Sequence, residues 1–218
     1  MDYVPFGELR DCDLRVGVTY EAGGGSNHFA NEPIKSMLPV GVAGGIRFKG
    51  SIEQAQLATL YSTGSHPDWP DVIDPTRRRL TYFGDNNTPG KDLHAPRGNK
   101  LLRSAFFSVY TAAGTHADVP PFFVFRESAG PHAGVEFLGV AVPGIPGGSL
   151  ESDLVAIWQT REGGAPFQNY RAEFTLLNCA VVPRAWINEL TAGVKTGSAS
   201  PAAYREWVTS GDLGMAPG

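Results

Sequence analysis

QLATLYSTGSHPDWPDVIDPTRRRLTYFGDNN, residues 56–87, decides how this chain is read. Leu57, Ala58, Leu60 and Tyr61 form a short, nearly continuous apolar run ending at Gly64, the pattern of a strand buried on both faces. Pro67, Pro70 and Pro75 then interrupt the chain, because proline fixes φ and removes the amide donor that regular structure needs. Leu80–Phe83 resumes strand character and GDNN ends it in a turn. The two strands around the proline-rich loop read as a long hairpin.

Working outward, GGIRFKG (44–50) alternates apolar and basic residues between glycines, as a short strand does. Upstream, AGGGSNHFANEP (22–33) is too rich in Gly and Asn for regular structure. Downstream, Asn99–Tyr110 has helical spacing, with Leu101, Leu102, Ala105 and Phe106 on one side. PPFFVFRE, VEFLGVAVPG, LVAIWQT and YRAEFTLLN give four further strands between residues 120 and 178. Pro183–Leu190 and Pro201–Val208 read as short helices with Trp or Tyr on an apolar face. The expected architecture is α+β and predominantly β: a curved mixed sheet or barrel over 1–180, then a short helical tail or linker over 181–218.

Composition fits such a fold. The 218 residues include 27 Gly and 17 Pro, favouring short strands and tight turns, and 42% are hydrophobic, enough for a packed core. No apolar run is long enough for a membrane span and Met1–Arg10 lacks a signal-peptide core, so a cytoplasmic protein is expected. Cys12 and Cys179 show no ligand spacing and read as ordinary reduced thiols. Net charge is −4, yet residues 35–103 carry a local balance of +4 against −8 elsewhere. Charge therefore permits a nucleic-acid partner without arguing for one, since binding needs a basic face and not a basic protein.

Several segments in one order now become recognisable. FGEL, GGIRFKG, LATLYSTG, DWPDVIDP, LTYFGDNN, PRGNKLL, PPFFVF, FLGVAVPG, LVAIWQT and FQNYRAEFT together resemble the N-terminal domain of the AspBHI and MspJI group of restriction endonucleases, over roughly residues 10–210. The resemblance implies an SRA-like (PUA-like) curved β-barrel flanked by helices. It also implies a recognition module that binds double-stranded DNA and flips 5-methylcytosine or 5-hydroxymethylcytosine out of the duplex. A nuclease domain follows in that group, so this chain is expected to be non-catalytic. It would need no cofactor itself, with Mg2+ serving a parent nuclease, and oligomers would form through that absent domain.

A flipped cytosine demands aromatic faces, an acceptor for its N4 amine and a small apolar space beside C5. A carboxylate suits the amine. The family pattern maps onto Asp71 as the acceptor and Tyr82 as a stacking face, with Trp69 or Tyr61 as the second face. Asp68 and Asp74 are rival acceptors, and a loop-organising Asp71 or a core Tyr82 stay open as readings. For the DNA backbone, Arg47 and Lys49 share one face of a strand, while Arg97, Lys100 and Arg103 recur along one side of a helix near Asn99. Asn27, His28 and Asn31 in the Gly-rich loop are candidates for groove contacts.

Other chemistry is poorly served. The histidines lack HxH or HExxH spacing, AGGGSN lacks the GK[ST] of a phosphate loop, and no GxSxG elbow occurs. Asp153 with the WQTR segment bears a faint likeness to a metal-dependent nuclease centre. The alternatives kept are therefore a self-contained small metal-dependent nuclease, or a reader of RNA or of another nucleic-acid modification.

Overall fold

Strand propensity and helical spacing are realised in a computed structural model that describes residues 2–27, 29–64, 69–160 and 164–214. In chain order the elements are β1 (Tyr3–Val4), β2 (Leu14–Arg15), β3 (Thr19–Glu21), α1 (Pro33–Met37), β4 (Ile46–Lys49), β5 (Leu57–Ser62), β6 (Val72–Asp74), β7 (Arg79–Phe83) and α2 (Arg97–Tyr110). They continue with β8 (Phe122–Ser128), β9 (Gly134–Pro143), α3 (Leu150–Asp153), β10 (Leu154–Thr160), β11 (Pro166–Leu176), β12 (Val181–Val182), α4 (Arg184–Thr191) and α5 (Ala202–Ser210).

One ten-stranded sheet runs in the order β4-β5-β8-β9-β11-β7-β6, with β10 added to β11 and β3, carrying β1, added to β9. It is not closed. The barrel implied by the resemblance is therefore replaced by an open, mostly antiparallel sheet whose two ends, β4 and β6, do not pair. The expected hairpin across the proline loop is also corrected: β5 pairs with β4 and, in parallel, with β8, while β7 pairs with β6 and β11. Each strand instead forms a short local hairpin, β5 with β4 and β7 with β6, while their other partners, β8 and β11, lie far along the chain and leave no local signal.

Helix α2 covers the sheet with the face the spacing predicts: Leu101, Leu102, Ala105 and Phe106 are buried, and Phe106 meets Phe174 of β11 edge-on at 5.2 Å. The C-terminal helices belong to the same core. Trp186, Ile187, Leu190, Tyr204 and Trp207 are all buried in it, and β12 pairs with β2. Arg184 locks the two ends of the chain, its guanidinium donating to the carbonyls of Leu9, Cys12 and Met37 at 2.7–3.1 Å. Cys12 and Cys179 are free thiols. Among the described residues no helix is long and apolar enough to cross a membrane.

Candidate functional site: the open seam of the sheet

Where the two ends of the sheet fail to pair, they face each other across a cavity of about 460 Å³. One wall is built from Gly44, Gly45, Arg47 and Tyr61, on and beside β4 and β5; the other from Trp69, Pro70, Asp71 and the run Tyr82–Asn87, beside β6 and β7. Side chains hold the seam where backbone ladders do not. The Tyr82 hydroxyl donates to the Tyr61 carbonyl at 3.0 Å, and the Ile46 amide donates to Asp85 Oδ1 at 3.2 Å.

Asp71 and Tyr82 both line the cavity, but the Tyr82 ring, expected as a stacking face, is only 3% exposed and is packed into the wall. The Phe83 amide donates to Asp71 Oδ1 at 3.0 Å, so the returning strand orients the carboxylate. The Tyr82 ring is almost wholly buried, and burial, reinforced by the negative charges of Asp71 and Asp85, holds its phenol well above the ordinary range. It stays a neutral donor at any working pH. Tyr61 and Trp69 are half-exposed on opposite walls, and Trp69 is steadied by an edge-on contact with Phe167 at 5.8 Å. Of the rival acceptors, Asp74 pairs with Arg77 in an exposed turn, and Asp68 lies outside the described residues.

Sequence reasoning missed the groups beneath the pocket. Burial pushes the Asp85 carboxyl up to about 6, against the pull of the Ile46 and Gly45 amides and of Arg47. A methyl added at Gly45 would strike the Tyr82 hydroxyl, and one at Gly98 would strike Asp85 and Ile46, so both glycines are there to permit close approach. Asn169 is a buried hub. Its Oδ1 accepts from the amides of Asn86 and Tyr170 and from Asn99 Nδ2, while its Nδ2 donates to Gly84 O and Gln159 Oε1. The available signal was polar residues in positions where strand alternation calls for apolar ones: the Asn of FQNYRAEFT and the GDNN turn.

Two expected backbone contacts are corrected by burial. Asn99 is fully buried, accepting from the Asp85 amide at 2.8 Å and donating to Leu93 O, so it ties α2 to the pocket turn and does not face a ligand. Arg47 is 7% exposed. Its guanidinium pairs with Glu32 at 2.7 Å, donates to Gly44 O and lies over the Tyr61 ring at 5.4 Å. Lys49 is half-buried, whereas Arg97, Lys100 and Arg103 are exposed along one side of α2, Arg97 resting over Phe48 at 4.9 Å.

Asn27 and Asn31 brace their own loop: Asn27 Oδ1 accepts from the Ala30 amide, and Asn31 Nδ2 donates to the carbonyls of Gly24 and Gly25. His28 lies outside the described residues. The faint nuclease likeness at Asp153 dissolves, since this buried carboxylate accepts from the Tyr110 hydroxyl, the Ile145 amide and the Ser152 hydroxyl. Arg161, its expected companion, lies outside the described residues. Among the described residues no three His, Cys, Asp or Glu side chains come together as metal ligands.

The family model described as "Restriction endonuclease AspBHI N-terminal" matches residues 14–216. The chain belongs to that family. Among solved structures, the DNA recognition domain of the cytosine modification-dependent restriction endonuclease LpnPI is 36% identical with a TM-score of 0.87, over 97% of this chain and 94% of that one. The DNA modification-dependent restriction endonuclease AspBHI is also 36% identical, with a TM-score of 0.86, over 99% of this chain and 56% of that one. MspJI, solved with a 27-mer oligonucleotide, shares the fold at 21% identity and a TM-score of 0.68, over 90% of this chain and 51% of that one. This AspBHI N-terminal chain thus spans about half the length of the two whole endonucleases. A search of curated protein sequences found no match.

Proposed function

We propose that this domain binds duplex DNA in the cytoplasm and draws a modified cytosine, 5-methylcytosine or 5-hydroxymethylcytosine, into the seam cavity as the reading half of a restriction system. The observation that carries this is the convergence of Tyr61, Trp69, Asp71 and Tyr82 on one cavity from separate segments of the chain. Taking a base out of the stack costs a few kcal/mol, offset by stacking and by hydrogen bonds to its Watson–Crick edge. Tyr61 and Trp69, on opposite walls, offer the flat faces. Asp71, oriented by the Phe83 amide, accepts from the N4 amine. Tyr82 acts through the Tyr61 carbonyl, setting the separation of the walls. Arg97, Lys100 and Arg103 supply cations for the phosphates. Cleavage of DNA, and the Mg2+ it needs, belong in this reading to a nuclease domain outside this chain, as do contacts that build an oligomer.

Family membership and the LpnPI and AspBHI relatives support the reading. Its test is the affinity of the domain for matched duplexes with and without one 5-methylcytosine, repeated with Asp71→Asn. That change keeps an acceptor for the Phe83 amide but replaces one carboxylate oxygen by a donor. A preference for the methylated duplex that falls about ten- to a hundredfold in Asp71→Asn supports the reading, the size expected for one charge-assisted bond. Equal affinity for both duplexes overturns it.

A further inference from the structure

Two carboxyl groups line the seam cavity, and base reading as set out above uses only one of them. Asp71 is oriented by the Phe83 amide. Asp85 follows Phe83 by two residues and lines the same wall. Two residues span at most roughly 7 Å, so the pair is spaced to meet one edge of a single pyrimidine ring. The charges of both bear on the Tyr82 phenol.

The two carboxyls are held differently. Asp85 Oδ1 accepts from the Ile46 amide at 3.2 Å, and no described side chain bonds to either of its oxygens. Oδ2 lies 3.6 Å from the place where a Gly44 side chain would begin, and Gly44 is part of the cavity wall, so the missing Cβ leaves that oxygen open to a guest. The groups packed around Asp85 come from four elements. Arg47 on β4 is the cation whose charge it feels, but that guanidinium is bound to Glu32 and Gly44 O. Strand β5 contributes Tyr61 and its carbonyl, β7 contributes Tyr82, and α2 meets it with Gly98 and Asn99, which carry no charge.

We infer that Asp85 is a second base-reading residue: in its acid form Oδ2 donates a hydrogen bond to ring nitrogen N3 of the extruded cytosine, while the Asp71 carboxylate accepts from N4. The inference rests on the base-flipping reading above. Two ionised carboxylates would offer acceptors alone, and the N3 lone pair would face another lone pair. One carboxylate beside one carboxylic acid presents an acceptor and a donor, the complement of cytosine's N4 amine and N3. Thymine carries an oxygen at position 4 and N–H at N3, so it mismatches both. Carboxyls whose surroundings push their titrations apart are a recurring way to keep one as acid and one as base.

This division of labour makes binding depend on a proton. Burial, against the pull of the Ile46 and Gly45 amides and of Arg47, sets the Asp85 titration at about 6. Below that pH the free domain already carries the proton, so preference for the methylated duplex is flat. Above it the proton is drawn from water on binding, and the preference falls by up to about tenfold per pH unit.

The test measures affinity for duplexes with and without one 5-methylcytosine between pH 5 and 8, and reads the ratio of the two, so that protonation effects common to any DNA cancel. The unaltered domain is expected to lose tenfold or more of its preference between pH 6 and 8. Asp85→Asn keeps an acceptor for the Ile46 amide and puts a permanent N–H donor in place of Oδ2, so its preference is expected to persist at pH 8 without a slope. A third duplex, carrying 3-deaza-5-methylcytosine, keeps the N4 amine but has C–H at position 3. On it the unaltered domain should show no slope, whatever the weaker pairing of that base does to affinity overall, and this arm needs no variant to fold.

A preference that is constant with pH in the unaltered domain overturns the acid role of Asp85 and leaves base reading standing. So does a slope that survives in Asp85→Asn or on the 3-deaza base, or a preference that Asp85→Asn abolishes at every pH. If the unaltered domain shows no preference at any pH, base reading itself fails, and the role of Asp85 falls with it.

Discussion

At Asp85, burial and hydrogen bonding pull in opposite directions, and burial wins, raising the carboxyl to about 6. In an unfolded chain the same group titrates near about 3.9. The folded state therefore holds the proton more tightly, so this group's contribution to stability is fully present below about pH 4 and is lost as pH rises through about 6. Thermal melts between pH 4.5 and 7.5 should show the unaltered protein losing more stability across that window than Asp85→Asn. Parallel curves would remove Asp85 from the titration. Arg47 and Glu32 set a second expectation, because their side chains are only 6% and 17% exposed. Arg47→Met strands a desolvated carboxylate, and denaturant unfolding should register a loss of about 3–5 kcal/mol. Both positions also show how far residue types could be read from sequence. Asp71, expected on the resemblance, does line the cavity wall. Arg47 was misassigned because alternation on a four-residue strand says which residues share a face, and not which face meets Glu32. Asp85 left no cue beyond its place in a turn.

Helix α2 is where element-scale forces compete most openly. Gly98 lies in its first turn, where alanine would ordinarily improve helix stability by roughly 0.5–1 kcal/mol. Here the added methyl meets Asp85 and the Ile46 side chain across the seam. Overpacking of this kind costs about 1–3 kcal/mol, so Gly98→Ala should destabilise the protein in urea titrations despite its better propensity. The exposed side of the same helix carries Arg97, Lys100 and Arg103. If these neutralise phosphates, replacing any one by Gln should weaken methylated and unmodified duplexes alike. It should also flatten the dependence of log Kobs on log salt by about one unit. An unaltered slope would place the DNA on another face. The helix itself was legible because its apolar spacing is strong and local. The strands were legible for the same reason, but their partners were not: β5 lies parallel to β8 and β7 beside β11, pairings that only the assembled sheet decides. Helices α1 and α3 went unread because five and four residues carry too little periodicity to register.

Across the whole molecule, the C-terminal segment is the clearest case of packing overriding appearance. Read as a tail, it instead places Trp186 and Trp207 among the largest fully buried side chains of the protein. Trp186→Ala should cost about 3–5 kcal/mol and lower the melting temperature by roughly 10 °C in calorimetry, whereas a detached tail would leave the transition where it was. Short apolar helices after the last long strand looked peripheral only because sequence order does not reveal that β12 returns to β2 at the other end of the chain. The open seam has a consequence of its own. A fully laddered barrel has its bore fixed by strand number and stagger, so a new guest would demand a new backbone. Here the gap between the walls is spanned by a phenol and a carboxylate, parts that point substitutions can lengthen, shorten or reverse. The domain is built like an adjustable gauge, whose setting can drift from one guest to another while the frame that carries it stays the same.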